Sequence, residues 1–150
     1  MITGQIEIEI KAKPEILFDL LADPSKAPAW NPNIIEAKIY IEQPIKKGSK
    51  GRLVGIYGKR RAEYEVTYYD FDRPKFVSCG ATNKSEISKM SYKFTPTEEG
   101  TIINFQFEYQ PKGVIGLLEP FIKLFRRLII KQEQKELELL KDYITKSKGL

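Results

Sequence analysis

Residues 120–144 have the sequence PFIKLFRRLIIKQEQKELELLKDYI, and this stretch decides the fold. Apolar residues recur there at helical spacing, which predicts one long helix from Val114 to Lys146. Pro120 interrupts the pattern, so we expect the main helix to begin or kink at that residue. The apolar stripe of this helix contains Leu117, Leu118, Phe121, Ile122, Phe125, Leu128 and Ile129.

The residues before this helix alternate as β-strands do. Ile6, Ile8 and Ile10 share one face of a first strand. Pro14 then opens a short helix over 14–23, and a brief second helix is expected from Ser25 to Trp30. Six further strands follow between Ile34 and Pro111, separated by turn sequences. These strands contain 35–42, Arg52–Tyr57, Arg61–Tyr69, Lys75–Ala81, Glu86–Thr95 and Thr101–Gln110.

The predicted fold class is therefore α+β: a curved, seven-stranded antiparallel sheet wrapped around a long C-terminal helix, with two short helices after the first strand. The chain of 150 residues suits a single domain with a single core. One helix face cannot fill all the space that seven curved strands enclose. Either aromatic side chains fill that space, or a cavity remains.

Composition excludes several kinds of chemistry. The chain has no histidine and one cysteine, Cys79, which rules out Ser-His and Cys-His nucleophiles, His-containing zinc sites and Cys₄ metal sites. We therefore expect no metal and no cofactor. The net charge of +5 is spread along the chain, which does not favour nucleic-acid binding. No apolar run approaches the roughly 20 residues of a membrane span, and no secretion signal is visible, so a cytoplasmic location is expected.

Four stretches resemble the START/SRPBCC superfamily, which has the helix-grip fold of birch-pollen-allergen-like proteins. They are KAKPEILFDLLADPSKAPAWNP (11–32), KKGSKGRL (46–53), YEVTYYDFDRPKFV (64–77) and RRLIIKQEQKELELLKDYI (126–144). Their order and spacing cover nearly the whole chain and are most similar to the polyketide cyclase/dehydratase-like members and to those associated with carbon monoxide dehydrogenase. The resemblance implies one ligand-binding domain over 1–150, with a hydrophobic ligand such as a lipid, quinone or polyketide between helix and sheet. It implies no particular reaction.

Candidate ligand-binding residues come from the strand aromatics, Trp30 and the inner face of the last helix. At 100° per residue, Gln132 and Glu136 fall within the apolar stripe, where a carboxyl group would be a polar contact for a ligand or a general acid. Alternatively, Glu136 emerges into solvent beyond the sheet. Cys79 is interpreted as a small buried apolar side chain. The full set is Trp30, Tyr57, Tyr64, Tyr68, Met90, Tyr92, Phe94, Phe105, Phe107, Phe121, Phe125, Ile129, Gln132 and Glu136.

Three functions remain open at this point. The first is a non-catalytic protein that binds or carries a hydrophobic small molecule, and it is the interpretation we favour. The second is a polyketide cyclase/dehydratase-like enzyme, with Glu136 or a tyrosine moving a proton. The third is a membrane or protein-interaction adaptor acting through the basic amphipathic helix, although the apolar face of that helix is expected to be its share of the core. Transient contact with a membrane surface is compatible with the first, and nothing in the sequence specifies an oligomeric state.

Overall fold

The computed structural model describes residues 1–39, 45–57, 59–112 and 119–148. The strands are β1 (Ile2–Ile10), β2 (Ile34–Ile39), β3 (Lys50–Tyr57), β4 (Arg60–Asp72), β5 (Phe76–Thr82), β6 (Glu86–Pro96) and β7 (Thr101–Pro111). The helices are α1 (Pro14–Ala22), α2 (Ala27–Trp30) and α3 (Glu119–Lys148), with a 3₁₀ turn at Pro24–Lys26. The predicted fold class is confirmed. The expected strand residues 40–42, the turn at Gly58 and the helical residues 114–118 lie outside the described residues.

All seven strands form one antiparallel sheet in the order β1-β7-β6-β5-β4-β3-β2. β2 to β7 pair with their neighbours in sequence, as a meander of short turns requires. β1 crosses to the far edge and pairs with β7, with Ile6 opposite Phe105. Alternation places side chains on a face but does not specify a neighbouring strand, so this pairing comes from the structure alone.

The short helices close one end of the sheet's inner face. Pro14 stands in the first turn of α1, where a missing N–H costs nothing. The Asp23 carboxylate accepts a hydrogen bond from the Ser25 backbone N–H at 3.0 Å and so caps the 3₁₀ turn. The indole Nε1 of Trp30 donates to the Leu20 carbonyl at 3.1 Å, which fixes α2 against α1.

The C-terminal half of α3 is the part of the helix that completes the core. Leu137, Leu140 and Ile144 are buried against the sheet and the α1 region. Phe18 of α1 packs in the same core, with its ring centroid 5.1 Å from that of Phe71 and 5.3 Å from that of Phe94. Side chains therefore fill this end of the space between sheet and helix.

The N-terminal half of α3 departs from the expectation that its apolar face is buried. Phe121, Leu124, Phe125 and Leu128 are 42–53% exposed. Ile122, Ile129 and Ile130 are the residues of this half that pack against the core. The apolar stripe is wider than the surface the strands offer, so only one flank of it is covered by the sheet.

Side chains at the start of β2 do not alternate regularly. Ile34 is 6% exposed, whereas Ile35 is 49% exposed and the next residue, Glu36, is exposed as well. An irregularity in the β2–β3 register between Ile34 and Glu36 explains this. Such a bulge shifts alternation by one residue, and the sequence carried no indication of it.

Candidate functional site

A cavity of about 710 Å³ lies between the inner face of the sheet and α3. Strands β3 to β7 supply one wall, α3 supplies the opposite wall from Phe125 to Glu136, and the α1–α2 region contributes Leu21, Ala27 and Trp30. Most of these side chains are apolar or aromatic, with polar groups at a few positions. An apolar cavity with a small number of convergent polar groups is the usual form of a small-molecule site.

Most of the candidate residues meet in this lining. Met90 and Tyr92 alternate inward on β6, and Tyr64 and Tyr68 do so on β4, as the period of two requires. From the candidate set, the structure brings together Trp30, Tyr64, Tyr68, Met90, Tyr92, Phe107, Phe125, Ile129, Gln132 and Glu136. Trp30 also packs α2 against α1 through its hydrogen bond to Leu20.

Three candidates lie elsewhere, which corrects their assignment to the site. Phe94 is buried beneath Phe18 of α1, and Phe105 is fully buried between Ile6, Leu137 and Tyr92. Both point to the inner face, but other side chains cover them directly. Phe121 is 52% exposed on the uncovered flank of α3. The side chain of Tyr57 lies outside the described residues.

Glu133 and Glu136 form a pair of carboxyl groups in the cavity wall. They are three residues apart on α3, so they lie one turn apart on the same face, and their side chains hydrogen-bond to each other. The Gln132 amide donates to Glu136 Oε1 at 3.4 Å, and Asn31 also hydrogen-bonds to Glu136. Burial raises the pKa of both carboxyls, most strongly that of Glu133, and the neighbouring charge of Glu136 raises the Glu133 pKa further. The pair therefore takes up a proton more readily than an exposed glutamate does.

The expectation that Glu136 emerges into solvent is therefore not met. Glu136 faces the cavity because α3 still lies over the sheet at this point, as the burial of the adjacent Leu137 shows. Glu133 was not among the candidates, although it stands four residues after Ile129 and three before Glu136. That spacing was the signal that could have found it. Asn31 was missed as well, and nothing in its sequence position indicated it.

The sheet side of the cavity carries hydroxyl and thiol groups. The Tyr68 hydroxyl donates a hydrogen bond to the Ala22 carbonyl, and burial raises the pKa of Tyr68. Burial also raises the pKa of Tyr92, with further increases from the charges of Glu133 and Glu136. Burial raises the pKa of the Cys79 thiol to about 12, which leaves it protonated and unreactive at neutral pH.

A second polar group lines the cavity at Arg60, Glu86 and Tyr109. The Tyr109 hydroxyl hydrogen-bonds with Glu86; burial, followed by this contact, raises the pKa of Tyr109 to about 12. Arg60 lies in the cavity wall, whereas Arg52 and Arg61 pair with Glu63 at 2.7 and 2.6 Å, away from the cavity lining.

The described residues contain neither a cluster of metal ligands nor a membrane-spanning helix. Within residues 1–39, 45–57, 59–112 and 119–148, no group of three or more thiol and carboxylate side chains is placed to hold a metal ion. No helix in the same ranges combines the length and apolarity needed to cross a bilayer.

Comparison with known proteins identifies relatives of this architecture. Residues 1–145 match the family model described as polyketide cyclase / dehydrase and lipid transport. Among solved structures, a START superfamily protein from Mycobacterium smegmatis is 15% identical with a TM-score of 0.77, and the match covers 95% of this chain and 98% of that one. Ara h 8.0201 is 14% identical with a TM-score of 0.72, covering 96% and 97%.

The di-domain ARO/CYC protein BexL from the BE-7585A biosynthetic pathway is 12% identical with a TM-score of 0.77. That match covers 97% of this chain and 47% of BexL. No curated protein has a matching sequence. At these identities the structural likeness shows the fold alone, while the family model spans nearly the whole chain.

Proposed function

The chain belongs to the family of polyketide cyclase / dehydrase and lipid-transport proteins, and from this premise we propose that it binds an apolar small molecule between the sheet and α3. The observation that carries the proposal is the cavity of about 710 Å³, a volume between the sheet and α3 that side chains leave unfilled. Residues 1–150 would then act as a single ligand-binding domain.

The size of the cavity sets the affinity we expect. Burying roughly 300 Å² of apolar ligand surface contributes about 7–8 kcal/mol at 25 cal/mol per Å². The loss of translational and rotational freedom offsets part of this gain. A ligand that fills the cavity should therefore bind with a dissociation constant in about the micromolar range.

A cavity-filling substitution tests the proposal. Ser88 lies in the cavity wall on β6, while Ser91 lies three residues later and points to the opposite face. Wild type and the matched control Ser91→Trp should bind the uncharged fluorophore N-phenyl-1-naphthylamine saturably. Ser88→Trp, with its fold checked by circular dichroism, should bind at least ten-fold more weakly. Equal binding by Ser88→Trp, or no binding by folded wild type, would contradict the proposal.

Cyclase/dehydratase-like catalysis is a second candidate, supported by the carboxyl pair. A carboxyl pair that takes up a proton in an apolar cavity is suited to give that proton to a bound polyketide-like substrate. If this is its role, Glu136→Gln should abolish turnover of any substrate the protein converts, whereas Glu138→Gln on the exposed face of α3 should not. Unchanged turnover in Glu136→Gln would remove this residue from the mechanism.

Contact with an anionic membrane is a third candidate, supported by the exposed flank of α3. The apolar side chains of Phe121, Leu124 and Leu128 are about half exposed there, and Lys123 and Arg127 are exposed beside them. The protein should then float with phosphatidylglycerol vesicles at low salt, and charge reversal of Lys123 and Arg127 should weaken this. Absence of flotation at low salt would exclude it.

A further inference from the structure

The charge on the Glu133–Glu136 pair is the starting point. Two carboxyl groups in hydrogen-bond contact are bridged by a proton on one of them, because two adjacent negative charges in an apolar wall repel each other. When the second group is ionised, the pair carries one negative charge. A buried charge is costly unless an opposite charge or several donors compensate it. The donors present are the amides of Gln132 and Asn31, both on the Glu136 side of the pair.

No cation offsets this charge within the described part of the chain. The groups that perturb the two carboxyls are Asn31, Gln132 and the carboxyls themselves; no lysine or arginine is among them. Lys131 and Lys135, the nearest cations along α3, are exposed. The groups on the sheet side are the uncharged Tyr92, Cys79 and Tyr68, whose pKa values burial raises. Arg60 belongs to the separate Glu86–Tyr109 group.

Tyr92 is a second, independent feature of the same region. Its ring packs against Phe105 at 4.8 Å between centroids, and its hydroxyl extends into the cavity near Glu133 and Glu136. Among the described residues this hydroxyl has no hydrogen-bond partner, whereas the hydroxyls of Tyr68 and Tyr109 each have one. Since Tyr92 lines the cavity, this hydroxyl is available to hydrogen-bond with a ligand there.

We propose that Glu133, Glu136 and Tyr92 form a head-group subsite for an amphipathic amine, whose protonated nitrogen lies against the carboxyl pair while its apolar body fills the rest of the cavity. This inference rests on the proposed function and names the ligand class. The ammonium group supplies one positive charge to a pair that carries one negative charge, so no net charge is buried. The Tyr92 hydroxyl accepts an N–H from the ammonium.

A series of probes with one apolar body and three head groups tests the charge preference. Decylamine, decanol and decanoate, used below their micellar concentrations at pH 7, would compete with N-phenyl-1-naphthylamine for the cavity. In wild type we expect decylamine to bind at least ten-fold more tightly than decanol, and decanoate to bind most weakly. In the double variant Glu133→Gln/Glu136→Gln, the ratio of the decylamine and decanol affinities should fall to about one.

Glu138→Gln is the matched control, because it removes the same charge from the exposed face of the same helix. It should keep the wild-type preference for decylamine. If wild type binds the fluorophore and decanol but prefers no head group, the amine subsite is wrong while the proposed function stands. If neither the fluorophore nor any probe binds, the proposed function itself fails. A preference that persists in the double variant would also overturn the subsite.

Discussion

The hydroxyl of Tyr68 donates a hydrogen bond to the backbone carbonyl of Ala22, which joins β4 to the end of α1 across 46 residues of sequence. Both residues are buried, so removing the donor leaves the carbonyl without its partner. We expect Tyr68→Phe to lower the free energy of unfolding by about 1–3 kcal/mol in urea denaturation. Tyr69→Phe, an exposed neighbour, is the control and should change it by less than about 0.5 kcal/mol. Equal effects of the two would contradict this role.

Leu140 should be one of the most costly positions to truncate on α3. It is 0% exposed, and its neighbours come from the sheet and from α1. Leu140→Ala should reduce the free energy of unfolding by about 2–5 kcal/mol, because the rigid surroundings cannot fill the space it leaves. Leu124→Ala makes the same chemical change at a residue that is 50% exposed and should cost much less. A similar loss at both positions would mean that the two halves of α3 are equally buried.

The carboxyl pair predicts an unusual dependence of stability on pH. Folding raises the pKa of Glu133 and Glu136 above their ordinary value of 4.5, so the folded state favours the protonated groups. Their contribution to stability is complete below about pH 4.5 and is lost as the pH rises through the raised values. Between pH 4 and pH 8, the free energy of unfolding of the double variant Glu133→Gln/Glu136→Gln should therefore rise relative to that of wild type by about 1–3 kcal/mol.

Urea denaturation of both proteins at several pH values measures this difference. Glu138→Gln is again the control, since Glu138 is exposed and its replacement should leave the free energy of unfolding nearly unchanged. A difference between the double variant and wild type that is constant with pH, or that shrinks as the pH rises, would contradict the raised pKa values of the pair.

Cys79 should resist alkylation in the folded protein. With a pKa of about 12, roughly one thiol in ten thousand is ionised at pH 8. We expect iodoacetamide to modify Cys79 very slowly under native conditions and rapidly in urea, as followed by intact-mass spectrometry. Native modification as fast as that of the unfolded chain would show that the folded protein does not keep the thiol protonated.

Most of the fold could be predicted from the alternation of apolar residues along the strands and from the positions of the prolines. Ile6 and Ile10 are buried on β1 as expected, Pro14 lies in the first turn of α1, and Pro120 falls in the first turn of α3. These features depend on local geometry, which the sequence expresses directly. The β1–β7 pairing and the bulge after Ile34 depend on long-range packing and were not predictable in this way.

The candidate site was predictable in its composition but not in its limits. The alternation of side chains along β6 and β7 placed both Tyr92 and Phe105 on the inner face of the sheet. In the structure, Tyr92 lines the cavity and Phe105 lies beneath it. What covers a side chain depends on where the helices rest, and alternation contains no such information. Helical spacing identifies Gln132 and Glu136, and the same spacing places Glu133 one turn from Ile129 and Glu136.

Trp30, whose indole is held by the Leu20 carbonyl at the cavity wall, is the one tryptophan in the chain. Its emission therefore comes from a single known environment rather than from an average over several. A molecule entering beside it would replace solvent around the ring and change the wavelength and intensity of its fluorescence. The native protein thus carries an internal optical sensor, with which collections of unlabelled compounds could be screened.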